Sequence, residues 1–552
     1  MDLPASERPE LQLLHARHDS TAHPVVIAQQ MFFLANILQH ADSRTLARLG
    51  HLSDEPPRAV MARLAKAAIE LVTSNDQMLG TAEGLECLAL ESIYQADGGN
   101  LRLSWLARRR LIGLSQAIGI HRRTYRALVI KSLQANCVLD PRIVWYRILC
   151  LDRFLSLMLG LPAASLDTSM VSEPALSQDT PMGQLERRHC VAAGRILDRN
   201  DRGPSADDFA HTQSIDTELQ RAASLMPSRW WLAPDLRAVT DEKQLFWESL
   251  RLVNQIYHFY LLHQLHLPYM LLSSTSSADQ RQYDYSRNTC TSASRDILNR
   301  CLLFHSHGGV PFSTCIIDFL ALMASLTLLL THLSCRRNSS TGAILAHQRL
   351  SDRALMEQAL ENMERVGPGN GDEPSSKGAR MLRQLLAINT DPAAVNTGPG
   401  DPAGDGFIES NVADPLRFFV PYFGVVSVSR DGMVTTEPNH AGQDPSPPTP
   451  NGAQRWAVAA MPAGGQGPRQ HDESARQSLG IHVLGADDAV PVRPMGDPGL
   501  SEARYPLPTA GADQWALQGV DFAFFDSLMR ETAPSTDGNG DGLWPWSIPP
   551  GI

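Results

Sequence analysis

The sequence predicts an all-α fold, a large helical domain followed by a Pro/Gly-rich acidic tail, and three observations support this prediction. Apolar residues recur at helical spacing from about residue 23 to 366, whereas the alternation typical of strands is rare. The same stretches are rich in Ala, Leu, Glu and Arg, which favour helix over strand. Finally, residues 391–552 hold 21 of the 37 prolines and 21 of the 39 glycines, which interrupt regular structure.

The net charge of −11 lies in the tail. Residues 391–552 contain 20 acidic and 8 basic side chains, so the preceding 390 residues are nearly neutral. The acidic balance argues against a protein that coats nucleic acid through a general basic excess. Because this charge belongs to the tail, it carries no information about whether the body approaches DNA. We expect five regions along the chain: an N-terminal extension (1–22), a helical domain (23–366), a low-complexity linker and tail (367–510), a C-terminal amphipathic helix (511–531) and a disordered C-terminus (532–552).

Individual helices are predicted from apolar faces. The first is marked by an amphipathic stretch with apolar residues at Val25, Ile27, Met31, Leu34 and Leu38. The Gly- and Pro-containing run at 367–372 is expected to end the last long helix. The other predicted helices lie at about 57–72, 81–94, 141–159, 181–198, 210–226, 241–266, 280–304, 311–334, 351–366 and 380–388.

The predicted helix at 141–159 has the clearest ends. Asp140 is a good N-cap, Pro141 fits the first helical position, and Gly160 fits the left-handed residue that ends many helices. Asp152 and Arg153 fall in the middle of an otherwise apolar helix. We expect both to pair with neighbouring helices rather than to act in catalysis, because buried charges need partners.

The segment 316–333 is apolar enough to require comparison with a membrane span. It contains Asp318 and His332, and its uninterrupted apolar part is shorter than the roughly 20 residues that a span needs. We therefore predict a buried core helix and no membrane partner. Residues 1–22 lack a basic start and an apolar run, so no signal peptide is predicted.

The eight cysteines do not form a zinc-binding pattern. None are spaced as CxxC, so they are predicted to be buried, reduced thiols of an intracellular protein. They are Cys87, Cys137, Cys150, Cys190, Cys290, Cys301, Cys315 and Cys335.

No pattern of catalytic, cofactor-binding or metal-binding residues is found. His258, His263 and His266 cluster, but their spacing is not that of a helical metal site and no carboxylate lies among them. The run 537–542 copies the first half of a calcium loop but lacks the glutamate that would complete it. The basic run 108–110 is predicted to form a solvated helix face. We therefore predict no site residues and no cofactor in this chain.

At several segments the sequence resembles the fungal binuclear zinc-cluster (Zn2Cys6-type) transcription factors, in their regulatory middle homology region. The most specific matches are Gly-Ile-His-Arg at 119–122, then Trp145, Asp152 and Arg153, and Gly-Leu-Pro at 160–162. The matching segments lie at 84–122, 140–162, 185–200, 266–272 and 515–529.

This resemblance implies a helical regulatory domain of a nuclear transcription regulator that controls a metabolic or secondary-metabolite gene set. It implies coactivators or the transcription machinery as partners, and homodimers or heterodimers with relatives. Such relatives carry an N-terminal six-cysteine zinc cluster that binds DNA, and no such cysteines precede the regulatory region here. Zinc and DNA contact are therefore expected only through a missing domain or a partner.

Three functions remain open at the level of the sequence. The first is a fungal-type transcription regulator, whose tail mixes acidic residues with Trp, Phe and Leu as activation segments do. The alternative is an interaction module without DNA contact, such as a corepressor or a partner of a zinc-cluster-bearing homologue. The third is a helical enzyme with a site among the clustered histidines. The tail helix at 511–531 has its own alternative, which is packing back on the body.

Overall fold

The structure, a computed structural model, is helical throughout the body of the chain. The all-α prediction for this body is confirmed. The residues that the structure describes are 22–41, 55–122, 130–133, 140–177, 179–202, 208–271, 283–306, 314–337, 339–370, 373–388, 416–420, 424–428 and 434–437.

Thirteen α-helices lie within these described residues, and short 3-10 or π-helical turns extend or connect some of them. They are α1 (Pro24–His40), α2 (Pro57–Ala68), α3 (Ala82–Asp97), α4 (Leu101–Ile118), α5 (Pro141–Leu159), α6 (Glu173–Leu176), α7 (Pro181–Arg202), α8 (Asp208–Ala223), α9 (Glu242–Leu271), α10 (Asp284–Ser306), α11 (Thr314–Arg337), α12 (Ser339–Asn370) and α13 (Glu373–Ile388).

The capping residues of α5 act as predicted. Asp140 Oδ1 accepts a hydrogen bond from the backbone N–H of Arg142 at 2.8 Å, and Pro141 takes the first helical position. Gly160 ends the helix with φ of 66°, a conformation that costs a residue with a side chain about 1 kcal/mol or more. Both ends of α5 are therefore fixed by local chemistry, which sets where its buried face begins and stops.

Helix α5 is shared by two apolar cores. Its first half, including Leu149, packs with α1, α3 and α4 around residues such as Leu88. Its second half, including Leu155, packs with α7 to α13 around residues such as Tyr260 and Leu328. The change from one core to the other falls between Cys150 and Leu151, immediately before the two charged residues of this helix.

Helix α11 lies inside the second core. The segment Cys315–Leu333 is long and apolar enough to cross a membrane, but 89% of it is buried within the protein. Asp318, near its start, is 2.7 Å from Nε2 of His305 on α10. The predicted core helix is confirmed.

The predicted end of α9 at residue 266 is wrong, because the helix continues through Pro268 to Leu271. Proline has no N–H, so it cannot donate to the carbonyl of Gln264 four residues earlier. Arg199 of α7 donates to that carbonyl at 3.3 Å and to the next one, that of Leu265, at 2.6 Å. A side chain from another helix thus satisfies the groups around the proline, and no local pattern could indicate this.

The expected break at 367–372 is confirmed, because α12 ends at Asn370 and α13 begins at Glu373. The helices are longer than predicted, however, since α12 begins at Ser339 and helical structure continues past residue 366 to Ile388. Met363 of α12 and Leu382 of α13 belong to the same buried core. This packing outweighs the weak local preference against helix.

The region predicted as low-complexity tail contains a small sheet that the sequence did not predict. Strands β1 (Leu416–Val420), β2 (Gly424–Val428) and β3 (Val434–Glu437) pair antiparallel in the order β1-β2-β3. The predicted N-terminal extension up to residue 21, the helix at 511–531, the C-terminus at 532–552 and the run 537–542 lie outside the described residues.

Two buried histidines link α7 to α9. Nε2 of His189 and Nδ1 of His258 are 3.0 Å apart, and both rings are inaccessible to solvent apart from a few per cent of His258. Burial lowers the pKa of His258 from 6.5 to about 4, and Arg300 contributes to the same effect. Burial, then the neighbouring His258, lowers the pKa of His189 well below 6.5. Both are therefore neutral in the folded protein at pH 7.

These depressed pKa values predict a loss of stability in mild acid. The unfolded chain takes up protons on both histidines below about pH 6.5, whereas folded His258 does so only near pH 4. Stability should fall between these values, by on the order of 2 kcal/mol from His258 alone at pH 5. Urea denaturation followed by circular dichroism at pH 7 and pH 5 measures this loss. The His258→Gln variant should lose less than the wild type, and an equal loss in both would contradict the assignment.

Candidate functional site around helix α5

Asp152 is a fully buried charge held by two helices and a loop. Its Oδ1 lies 3.1 Å from Nε of Arg109 on α4, and its Oδ2 accepts the backbone N–H of Ala164 at 3.1 Å. Burial raises the pKa of Asp152, and the charge of Arg109 acts in the opposite direction. The prediction that Asp152 pairs with a neighbouring helix is confirmed.

Arg153, the next residue, has partners of another kind. Its Nη1 donates to the backbone carbonyl of Cys190 on α7 at 2.8 Å. Its Nη2 donates to the carbonyls of Ser165 at 2.9 Å and Asp167 at 2.7 Å. Arg153 as a whole is only 1% exposed, and no carboxylate in the described part of the chain lies within ion-pair distance of its guanidinium. The expected buried ion pair at this residue is thus replaced by hydrogen bonds to neutral carbonyls.

These side chains hold residues 160–168, which we call the α5 loop. Ser156 Oγ donates to the carbonyl of Pro162 at 3.2 Å, and Arg109 donates to the same oxygen. Trp145 Nε1 donates to Asp167 Oδ2 at 2.9 Å. Because the backbone and side chains of this loop bond to α4 and α5 at several points, its conformation is set by the buried face of α5.

The basic run at 108–110 is not a solvated face, and this prediction is wrong. Arg108 is 3% exposed, and burial lowers its pKa to about 10 against the opposing charge of Asp152. Arg109 lies over the ring of Trp105, with 4.4 Å from its Cζ to the ring centroid, besides pairing with Asp152. Arg110 bonds to Asp76 at 2.7 Å. Arg108 and Arg109 are thus drawn toward the buried carboxylate of Asp152 on α5, whereas Arg110 faces Asp76.

A small cleft opens beside the α5 loop. It encloses about 110 Å³, well below the roughly 300–1,000 Å³ of small-molecule sites. A Cβ on Gly194 would lie 3.0 Å from Cζ of Arg153, so the missing side chain at this position makes room for the guanidinium. The cleft is lined by Arg153, Leu166, Thr168, Val191, Gly194, Arg195 and Asp198.

The three clustered histidines do not meet in the structure. His258 pairs with His189, as described above. His263 Nε2 is 2.8 Å from the hydroxyl of Thr327, and His266 Nδ1 is 3.0 Å from that of Ser286. Each therefore joins α9 to a different helix, and within the described residues no three metal-binding side chains come together.

Several residues of this site could not be identified from the sequence. Arg109, Asp167, Cys190 and Gly194 reach Asp152, Trp145 or Arg153 only through the fold. The only sequence signal for the site was the pair of charged residues, Asp152 and Arg153, within the apolar face of α5. This signal shows that α5 needs polar partners in other elements, but it does not identify the residues that provide them.

Comparison with known proteins places this site in a family. Residues 12–184, which include α1 to α6 and the α5 loop, match the fungal specific transcription factor domain. A dehydrocurvularin biosynthesis regulator of Aspergillus terreus is 40% identical over 95% of this chain and 75% of its own length. The chain belongs to this family. The resemblance seen in the sequence is thereby confirmed.

Two further relatives that are named as transcription factors support the same family assignment. The probable transcription factor gsfR1 of Penicillium aethiopicum is 33% identical over 94% of this chain and 76% of its own length. The transcription factor sdnS of Sordaria araneosa is 32% identical over 92% of this chain and 69% of its own length. No solved structure matches the chain. The protein is a fungal-type transcription regulator with a helical regulatory domain.

The Asp152→Asn substitution tests the charge at this site. It keeps an acceptor for Ala164 but leaves Arg109 without its carboxylate, and breaking a buried pair in this way costs about 3 kcal/mol. The loss is measured as the change in urea denaturation. Arg63→Gln is the matched control, since Arg63 forms an exposed pair with Glu55 at 2.8 Å that solvent screens and that should contribute little to stability. Equal effects of the two substitutions would contradict the role of Asp152.

The Gly194→Ala substitution tests the space above Arg153. The added methyl group meets a guanidinium held by three carbonyls, and overpacking of this kind costs about 1–3 kcal/mol. Gly113→Ala on α4 is the matched control, because nothing lies within 4 Å of its added Cβ. Alanine there should stabilise the helix by up to about 1 kcal/mol. Thermal denaturation should therefore shift in opposite directions, and a stabilised Gly194→Ala protein would contradict the packing described here.

Proposed function

We propose that this protein is a pathway-specific regulator of a metabolic or secondary-metabolite gene set and acts in the nucleus. The observation that carries this proposal is the extent of the similarity to biosynthesis regulators. The similarity to the Aspergillus terreus protein covers 95% of this chain, so it continues past α13 into the acidic tail. A second dehydrocurvularin biosynthesis regulator, from Alternaria cinerariae, is 37% identical over 92% of the chain.

The composition and the fold support separate roles for the helical body and for the tail. The helical body buries some of its charged residues in structural networks, such as those of Asp152 and Arg153. The tail after Glu437 has 13 acidic against 6 basic side chains and carries aromatic residues that include Trp515, Phe522 and Phe525. Acidic segments with interleaved aromatic residues dock into the apolar grooves of coactivators. The tail is therefore proposed to contact the transcription machinery, and the body is proposed to regulate that contact.

The cysteine pattern favours a second proposal for how the chain reaches DNA. None of the eight cysteines shows the spacing of a zinc cluster. The chain is therefore proposed to act on DNA with a zinc-cluster-bearing partner or segment. Co-purification with such a relative, and a gel shift only in its presence, would support this. A sequence-specific gel shift by the chain alone would contradict it.

The tail proposal predicts activation by residues 391–552. Fused to a heterologous DNA-binding domain, this segment should raise expression of a reporter above that of the DNA-binding domain alone. Replacing Phe522, Phe524 and Phe525 with Ala should abolish the effect, because these rings would occupy the coactivator groove. Replacing Trp544 and Trp546 with Ala is the control and should leave it intact.

Three outcomes would each contradict part of these proposals. A tail fusion without activation would remove the activation segment. Fluorescence of the tagged full-length protein that stays in the cytosol would remove the nuclear assignment. Loss of activation in the tryptophan control as strong as in the phenylalanine variant would show that the amphipathic segment has no special role.

A further inference from the structure

Helix α1 carries no Asp, Glu, Lys or Arg along its 17 residues, although 19% of the whole chain is charged. A helix at a protein surface normally turns a charged or polar face to water, whereas a helix that is apolar all round is covered on all sides. The first core covers one side of α1, through Val25, Ala28 and Phe32, which are at most 1% exposed. The opposite side has the composition of a surface that is also covered.

That opposite side presents a row of residues that we call the α1 stripe. Its members follow one another at intervals of three and four residues, so they lie in one line on the side away from Phe32. They are Ile27, Gln30, Leu34 and Ile37. Leu34 and Ile37 are 42% and 41% exposed, and Ile27 and Gln30 are half-buried. This spacing is that of the contact positions in paired α-helices, so the α1 stripe fits a second helix laid along it.

The absence of charge on α1 limits what the α1 stripe can bind. Residues 1–21 contain six acidic or basic side chains, and the amphipathic segment at 511–531 contains five. A charge that is pressed against an uncharged face loses its water without gaining a partner. A second copy of this chain has no such cost, because it presents the same charge-free stripe. The charge pattern therefore favours a second copy over a charged segment of the same chain.

Gln30 is the one polar member of the α1 stripe, and it favours a parallel arrangement of two copies. An amide buried in a contact needs a hydrogen-bonding partner. When two α1 helices lie parallel and in register, Gln30 lies opposite Gln30 of the second copy, and each amide offers the other a donor and an acceptor. In an antiparallel pair, Gln30 would face Leu34, whose side chain has no polar atom.

We propose that the α1 stripe is the contact surface of a homodimer, in which two copies of α1 lie parallel and in register about a twofold axis. Ile27, Leu34 and Ile37 of each copy would pack against the same residues of the other. The stripe is only about two heptads long, so the dimer should be weak and its formation should depend on concentration.

A parallel pair places Pro24, the first residue of α1, at the same end of the dimer in both copies. The chain segments that precede α1 would therefore start next to each other. This arrangement suits a regulator that meets DNA at two half-sites, since a twofold-symmetric protein binds half-sites related by the same symmetry. This consequence rests on the proposed function, whereas the dimer itself does not.

Sedimentation velocity of the purified full-length chain over a dilution series measures the association. The wild type should shift from monomer to dimer as the concentration rises. Leu34→Glu should stay monomeric, because it places two carboxylates opposite each other in an apolar contact. Leu350→Glu is the matched control, since Leu350 lies on α12 and is 78% exposed, and it should dimerise as the wild type does. Both positions lie outside the apolar cores, so neither substitution opens a cavity.

Disulfide trapping tests the register of the two helices. In the full-length Leu34→Cys protein the new thiols of the two copies would face each other, so mild oxidation should give a covalent dimer on a non-reducing gel. Leu350→Cys is the matched control and should remain a monomer on the same gel. The six cysteines in the described part of the chain are buried and should not react between copies.

Three results would overturn the proposal. A wild-type chain that sediments as a monomer at every concentration would show that the α1 stripe is covered by another segment or partner. Equal loss of the dimer in Leu34→Glu and Leu350→Glu would place the contact elsewhere. Crosslinking of Leu34→Cys no faster than that of Leu350→Cys would exclude the parallel register. Because the readout is the oligomeric state, each of these results would leave the proposed role in transcription unaffected.

Discussion

The burial of Asp152 and Arg153 at the centre of α5 is the constraint on which the rest of the domain depends. Two adjacent ionic groups in an apolar helix must find partners, because an unpaired buried charge costs several kcal/mol. The chain provides them from α4, from α7 and from the α5 loop. Satisfying these two residues therefore fixes the relative positions of three elements, and the apolar cores fill the space on either side.

The position of these charges also coincides with the place where the two apolar cores are joined. The first core, around α1 to α4, and the second core, around α7 to α13, share α5 and meet at its middle. A displacement of α5 would move apolar contacts in both cores and the polar contacts of the loop together. A regulatory domain needs such coupling, since an event at one surface has to alter another.

The all-α fold class could be predicted from the sequence because helical periodicity and helix caps are local signals. The ends of α5 at Asp140 and Gly160 are examples, and the family resemblance at Trp145 and 160–162 pointed to the same helix. Residues whose roles depend on distant partners were not predictable in this way. The run 108–110 looked like a charged surface because nothing near it in the sequence reveals the carboxylate of Asp152 on another helix. The sheet in the tail was missed because its short strands lie among the prolines and glycines that indicated irregular structure.

The contact between Arg199 and the backbone around Pro268 has a consequence for how this sequence can diverge. Arg199 is buried, and the helix that continues through Pro268 offers it the carbonyls of Gln264 and Leu265 as acceptors. A residue with an N–H at position 268 would compete for one of these acceptors, whereas loss of the arginine would leave them to be satisfied in another way. The effect of a change at either position therefore depends on the residue at the other. Positions 199 and 268 should vary together among relatives, although they lie on different helices and neither is part of the α5 site.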